Sequence, residues 1–396
     1  MDRACGALLT LCLWASPCLA APAATLPPGL PATAAAPQAA LHARLYTPDE
    51  ATLSLRQVTA WEDVAVVSGR RRLPDGDAAD ALWAFDLARD TVTLLYEARR
   101  GVEIHTPVYC AGQLYWAERY PDQPVGWRIR TWRAQTRRAE LVRSDPYARS
   151  TVAPSLTTDG TQVYWYESDS EQTRAADGAC REVTLMTLSP GEKPRALARR
   201  AVPVDWLGPQ VSAGVWTVGA WSVQSGWQLC LLDVRTGENL AAWAISAMPA
   251  DARSGGGRVL WRQGAPALAP VGGDAQGDQA TAEEEPPDPG AVPGLWGELM
   301  LLKDGVPRAI DAGIEALLLR PEGVYACHEN GDLCCYTFDL GRTLRLTPHG
   351  DYLPTLWAQD GRLLTLRAID DGQRLLYRLC AVDTQALQAG GWPPLR

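Results

Sequence analysis

Apolar and polar positions alternate in short runs along most of this chain. The clearest example is the segment DLCCYTFDLGRTLRLTPHGDYLPTLWAQDGRLLTLR, from Asp332 to Arg367. It contains four β-rich runs, Leu333 to Asp339, Thr343 to Thr347, Tyr352 to Ala358 and Leu363 to Arg367, each ended by Gly, Asp or Pro. The pattern predicts four antiparallel strands. The same succession recurs upstream, so the chain reads as a repeat protein.

Anchored on the second residue of each apolar or aromatic run, the repeats fall at Ala65, Tyr115, Tyr164, Trp216, Leu260, Tyr325 and Leu364, with spacings of 50, 49, 52, 44, 65 and 39 residues. A partner run follows each anchor, from ALWAFDLARDTVTLLYEA at Ala81 to RLLYRLCAVDTQAL at Arg374. A period of about 40 to 50 residues with four strands per unit predicts an all-β fold, a β-propeller. A lone unit would expose an apolar face, and radial stacking buries both faces. Seven four-stranded blades are expected, with six the alternative if the Leu260 unit is incomplete.

The runs YTFDLGRTLRLTPHGDYLPTLWAQDGRLLTL and WQLCLLDVRTGENLAAW resemble the repeats of bacterial TolB-type propellers, a WD-like group that also supplies propeller domains to some peptidases. The resemblance covers about residues 50 to 390 and implies an architecture more than an activity.

Residues 1–20 have the order of a signal peptide: a short start with one Arg, the apolar stretch Ala7 to Ala15, and small residues around Cys18-Leu19-Ala20. The apolar stretch is too short to span a bilayer, so no transmembrane segment is expected. Export to the cell surface or medium is the expectation. A lipid anchor ranks second, because Leu11 precedes Cys12 and Pro17 precedes Cys18. Residues 21–40 are Pro/Ala-rich and uncharged, which predicts a linker. The propeller occupies 41–396, with Leu41 to Thr47 expected to close the ring by pairing with the final run near Thr384 to Leu387.

The segments between second and third strands vary in length: Arg70 to Ala81, Arg119 to Gly126, Ser168 to Ala179, Gln224 to Gly226, Gln263 to Gly294 and the Asn330-Gly331 turn. In a propeller these emerge on one face, where insertions mark a binding-capable side. Tyr120, Asp122, Trp127, Asp169 and Arg174 are the candidate ligand-binding residues there. The longest insertion, residues 264–294, holds six acidic residues and no Lys or Arg. One-sign charge with low hydrophobicity predicts disorder.

Chemistry-bearing residues narrow the function classes. The chain has 16 Trp and 12 Tyr against 2 Phe. Such aromatics fit half-buried strand faces, and stacked sugars would use the same residues. Three of ten Cys fall in the leader, leaving Cys110, Cys180, Cys230, Cys327, Cys334, Cys335 and Cys380 without regular spacing. A two-residue turn at Asn330-Gly331 would put Cys327 opposite Cys334 in a hydrogen-bonded pair, a strained place for a bridge. The adjacent Cys334-Cys335 pair does not match the ring-joined cysteines of quinone-enzyme propellers, since neighbours in a strand point to opposite faces. His42, His105, His328 and His349 lack metal-ligand spacing, and His105 and His349 are expected to precede strands. There is no Gly-x-Ser-x-Gly elbow of the kind the resembling peptidases carry in a separate domain. A net charge of -9 and pI near 5.1 disfavour nucleic acid as a partner. With no catalytic residue, metal or cofactor assigned, the expected function is a non-catalytic binding or scaffold module for a protein or glycan at the bacterial cell surface. The alternative is a propeller-fold hydrolase or lyase with carboxylates in its channel.

Overall fold

The second strand of each repeat is the most apolar because neighbouring blades cover both of its faces. In Val64–Arg72 every residue from Ala65 to Gly69 is buried, and in Arg362–Asp370 every residue from Leu363 to Leu366. The outermost strands carry the opposite pattern: Thr91–Glu97 and Arg138–Asp145 are exposed or half-buried throughout. Hydropathy therefore encodes radial position within a blade.

The computed structural model describes residues 43–384, apart from 121–125, 146–152, 169–173, 176–177, 204–205, 207, 223, 264–297, 304, 321–322, 329–330, 337–342, 346–351 and 360. The leader, the linker and the acidic insertion lie outside the described residues. The described residues build seven antiparallel blades in a ring, each of four strands with one short extra strand, Arg174–Ala175, in the third: blade 1 (52–97), blade 2 (103–145), blade 3 (157–203), blade 4 (210–244), blade 5 (249–312), blade 6 (314–345) and blade 7 (352–383 with 43–46). The protein is a seven-bladed β-propeller, and all seven anchor residues fall in second strands. No helix among the described residues is long and apolar enough to cross a membrane.

The ring is closed by the N-terminal strand, but not on the expected partner. Ala43–Tyr46 pairs with Leu375–Asp383, with Ala43 opposite Val382 and Tyr46 opposite Leu379. It takes the outermost position of blade 7, beside the third strand; residues 385–387 of the expected partner run lie outside the described residues. Tyr46 then donates its hydroxyl hydrogen to Leu87 O at 3.0 Å, tying blade 7 to blade 1.

Large aromatics fill the spaces between blades. Trp116, Trp165, Trp216 and Trp261 sit in four successive second strands and are fully buried. Gly219 makes room for another: a Cβ there would meet Trp206 Cζ3 at 3.0 Å and Pro249 Cγ at 2.5 Å. All seven described cysteines are buried.

Two further expectations need correction. Cys327 lies opposite Leu333, and Cys334 opposite Ala326. The turn closes with His328 N–H donating to Asp332 O at 2.9 Å, one residue wider than the expected closing pair. A one-residue change in register moves a side chain to the other face of the sheet, so Cys334 turns away from Cys327. His105 lies within the strand Glu103–Cys110 instead of preceding one, and His349 lies outside the described residues.

Candidate functional site

Residues from the inner part of all seven blades surround a central channel, from Gln57 in blade 1 to Trp357 in blade 7. It encloses a cavity of about 380 Å³. At the end formed by the first-to-second-strand turns it opens into a mouth of about 610 Å³. There Trp61 and Tyr109 stack with centroids 4.1 Å apart, and Arg320 and Trp357 join the lining.

The wall has two unlike arcs. From blade 7 to blade 3 each innermost strand uses a neutral side chain to hold the next blade. Thr355 Oγ1 accepts from Val58 N–H at 3.3 Å, Gln57 Oε1 from Thr106 N–H at 2.5 Å, and Thr106 Oγ1 from Leu156 N–H at 2.9 Å. Thr106 has φ of 41°, a conformation unfavourable for a β-branched residue. Its two inter-blade bonds hold it there.

The opposite arc, in blades 5 and 6, is charged. Among the described lining residues it holds two carboxylates, Asp251 and Glu315, and two guanidinium groups nearby, Arg253 and Arg262. Arg253 Nη1 donates to Asp251 Oδ1 at 2.5 Å. Arg262 Nη1 donates across the blade boundary to Ile314 O at 2.9 Å and Glu315 O at 2.8 Å. Its Nε–H is buried and has no acceptor. Burial, opposed by Asp251 and reinforced by Arg253, holds the Arg262 guanidinium below its ordinary range. Such a set can anchor a carbonyl or carboxylate, and can hold a water against a carboxylate.

The residues expected from sequence on the second-to-third-strand face do not gather into this site. Tyr120 ends the strand Gln113–Tyr120 and is engaged in the wall between blades 1 and 2. Its hydroxyl donates to Glu118 Oε2 at 2.7 Å, and Arg128 lies over its ring at 4.5 Å. Trp127 is buried in the core between blades 2 and 3. Arg174 belongs to the short strand Arg174–Ala175 beside Gly178–Leu188. Asp122 and Asp169 lie outside the described residues. No group of His, Cys, Asp and Glu suited to a metal ion occurs among the described residues. Asp251 and Glu315 carry no mark in the sequence because they lie far apart in the chain, on inner strands that only the ring brings together.

No protein-family model and no curated protein matches the sequence. In fold, the chain is similar to the β-propeller domain of the Trilobed protease from Pyrococcus furiosus, at 12% identity and TM-score 0.54, covering 87% of this chain and 98% of that one. That domain is described as having an open velcro topology, whereas here Ala43–Tyr46 joins the last blade. The chain is also similar to Pyrococcus horikoshii acylaminoacyl peptidase, at 13% identity and TM-score 0.51, covering 86% of this chain and 52% of that one. The chain thus spans about half the length of that peptidase. The expectation of a non-catalytic binding or scaffold module is corrected here. Both of these propellers belong to peptidases, and the channel carries the carboxylates on which the hydrolase alternative depended.

Proposed function

We propose that this chain is a TolB-type propeller working in hydrolysis of peptide or acylaminoacyl substrates, with the charged arc of its channel as the reacting site. The observation that carries this is the gathering of Asp251, Glu315, Arg253 and Arg262 on one arc of the channel, where the buried Arg262 guanidinium keeps its Nε–H free for a ligand. A buried donor without an acceptor is costly, and one that finds its partner only as charge develops contributes to catalysis.

The substrate's acyl carbonyl receives the Arg262 Nε–H. One of the two carboxylates draws a proton from a water as its oxygen attacks the carbonyl carbon. The tetrahedral oxyanion is held by Arg262, with Arg253 adding positive charge. The carboxylate then passes its proton to the leaving nitrogen as the C–N bond breaks, giving a carboxylate and an amine. The wider mouth, with its Trp61/Tyr109 stack, fits an apolar acyl or side-chain group. Export, supported by the leader-like N-terminus, would place this activity outside the cytoplasm.

The test is turnover of fluorogenic peptides and N-acyl-aminoacyl amides by the purified protein. We expect measurable hydrolysis, with Arg262→Gln lowering kcat by about 10²-fold or more, the scale seen when an oxyanion donor is removed. Glu315→Gln and Asp251→Asn, tested separately, identify the base. Absence of turnover across the panel, or full activity in all three variants, overturns the proposal.

A further inference from the structure

The mouth of the channel holds a second set of unused donors, which the proposed reaction leaves without a role. Blades 6 and 7 contribute Arg320 and Trp357 to its lining. Arg320 ends the innermost strand of blade 6, Ile314–Arg320, and Trp357 lies in the innermost strand of blade 7, Tyr352–Gln359. Trp357 also lines the channel, with Asp251 and Glu315. It therefore stands at the neck between mouth and channel.

Both side chains carry a buried N–H with no acceptor, Arg320 at Nε and Trp357 at Nε1. Other side chains of the same kinds are better served. Six further arginines have a buried Nε–H without an acceptor, yet each guanidinium has another partner. Arg71, Arg119 and Arg133 meet a carboxylate, Arg181 and Arg262 meet backbone carbonyls, and Arg367 lies over the Tyr352 ring. Arg320 has no partner of any kind among the described residues. The indole N–H groups of Trp83, Trp116, Trp165, Trp216 and Trp261 all donate to side-chain oxygens, at 2.8 to 3.4 Å. Donors left unfilled are costly, and each calls for a partner that the chain itself does not supply.

Blades 1 and 2 give the mouth an aromatic side. The rings of Trp61 and Tyr109 are within 12° of parallel, and both residues are half-buried, so the pair offers an apolar surface in the same mouth as the donors. Two carboxylates share the lining, Asp159 and Glu62. Asp159 is already filled, accepting from the N–H groups of Thr161 and Gln162 at 2.9 Å each and from the Tyr164 hydroxyl at 2.8 Å. Glu62 is exposed, on the turn that follows Trp61. A guanidinium and an indole N–H without acceptors, together with stacked rings, suit a carboxylate that carries an apolar ring. The mouth volume of about 610 Å³ lies within the range of small-molecule sites, about 300–1,000 Å³.

We propose that the mouth binds the free α-carboxylate of a peptide that ends in an aromatic residue. The carboxylate oxygens accept from Arg320 and Trp357, the aromatic side chain rests on the Trp61/Tyr109 pair, and the preceding backbone passes the neck into the channel. That the bound peptide is the one hydrolysed rests on the function proposed above; the carboxylate site does not.

Isothermal titration of the full chain with 3-phenylpropanoate and with 3-phenylpropanol isolates the carboxylate, because the two share ring and chain and neither has an amide bond to hydrolyse. The acid should bind at least about tenfold more tightly than the alcohol. Arg320→Gln should remove that preference, and Trp357→Phe, which keeps a ring but loses the N–H, should reduce it at least about threefold. Should Arg320→Gln misfold, Arg320→Lys, which keeps the charge but loses the planar fork, should still reduce the preference. Trp61→Ala should weaken both ligands alike. Equal binding of acid and alcohol by the wild type, binding of neither, or an acid preference that survives the Arg320 and Trp357 variants would overturn the proposal. An acid preference in a protein that hydrolyses no peptide would sink the reaction proposed above and leave this site standing; hydrolysis without the preference would do the reverse.

Discussion

Two sides of the ring use polar groups in opposite ways. From blade 7 through blade 3, neutral side chains of the innermost strands tie each blade to the next. Thr355, Gln57 and Thr106 each accept an N–H from the following blade. Glu118, fully buried between blades 1 and 2, accepts from Tyr96 at 2.6 Å, Tyr120 and Arg130 at 2.7 Å each, and Trp116 at 3.4 Å. In blades 5 and 6, two carboxylates and two guanidiniums line the channel with one Arg262 donor unused. A charge whose hydrogen-bonding capacity is filled by protein holds a fold together; a charge with capacity left over is available to a ligand. Burial alone would have ranked these sides the wrong way round, since Glu118 is the most buried carboxylate among the described residues.

The comparison is broken most severely at Glu118. Replacing it with Ala strands the Arg130 charge and two tyrosine hydroxyls, and breaking a buried pair in this way costs about 3–5 kcal/mol. Urea unfolding should show that loss, while hydrolysis by the remaining folded protein stays near wild type. A smaller loss follows from Thr355→Val, which keeps the shape but leaves Val58 N–H without its acceptor. About 1–2 kcal/mol is expected, again without a change in kcat. Asp251→Asn should give the reverse signature. Its partner Arg253 is part-exposed, so unfolding should shift by about 1 kcal/mol or less, yet turnover should fall if the charged arc reacts. A large stability loss in Asp251→Asn, or a large activity loss in Thr355→Val, would erase the distinction between the two sides.

The fold was legible because strand position is written in hydropathy. Second strands such as Leu114 to Ala117 and Val163 to Trp165 are buried on both faces and so carry unbroken apolar runs, and runs of this kind set the seven anchors. Innermost strands carry less signal: Thr157–Thr158 and Gln210–Ser212 are too short for periodicity. They line the channel, which is why its chemistry stayed hidden. Register was illegible for a different reason. Whether Cys334 faces Cys327 or His328 depends on one residue in the turn, and Asn330-Gly331 reads as a two-residue turn although the hydrogen bond closes from His328 to Asp332. Cys334 shares its face with Ala326 and Tyr336, away from Cys327, because of that one-residue difference.

The smallest expected effect sharpens the comparison at His105, on the engaged side. Burial draws its pKa below the ordinary histidine value, and the hydrogen bond that Nε2 makes to Glu103 Oε2 at 3.3 Å opposes the shift without reversing it. Arg56 works in the same direction as burial, so the ring is held neutral and adds no charge to this part of the wall. In the unfolded chain His105 takes up its proton near pH 6.5; in the folded protein it does so only at lower pH. The unfolded state therefore binds more protons in that interval, and the His105 contribution to stability is complete above pH 6.5 and declines as pH falls toward the folded value. The side chain is 37% exposed, so solvent screens the effect and the slope should be shallow. Thermal unfolding of wild type and His105→Asn measured from pH 8 to pH 5 isolates it. The stability of wild type relative to the variant should hold steady down to about pH 6.5 and shrink below it. A difference that stays constant to pH 5, or widens on acidification, would mean that the ring carries charge in the folded protein and that the neutral arc is not neutral there.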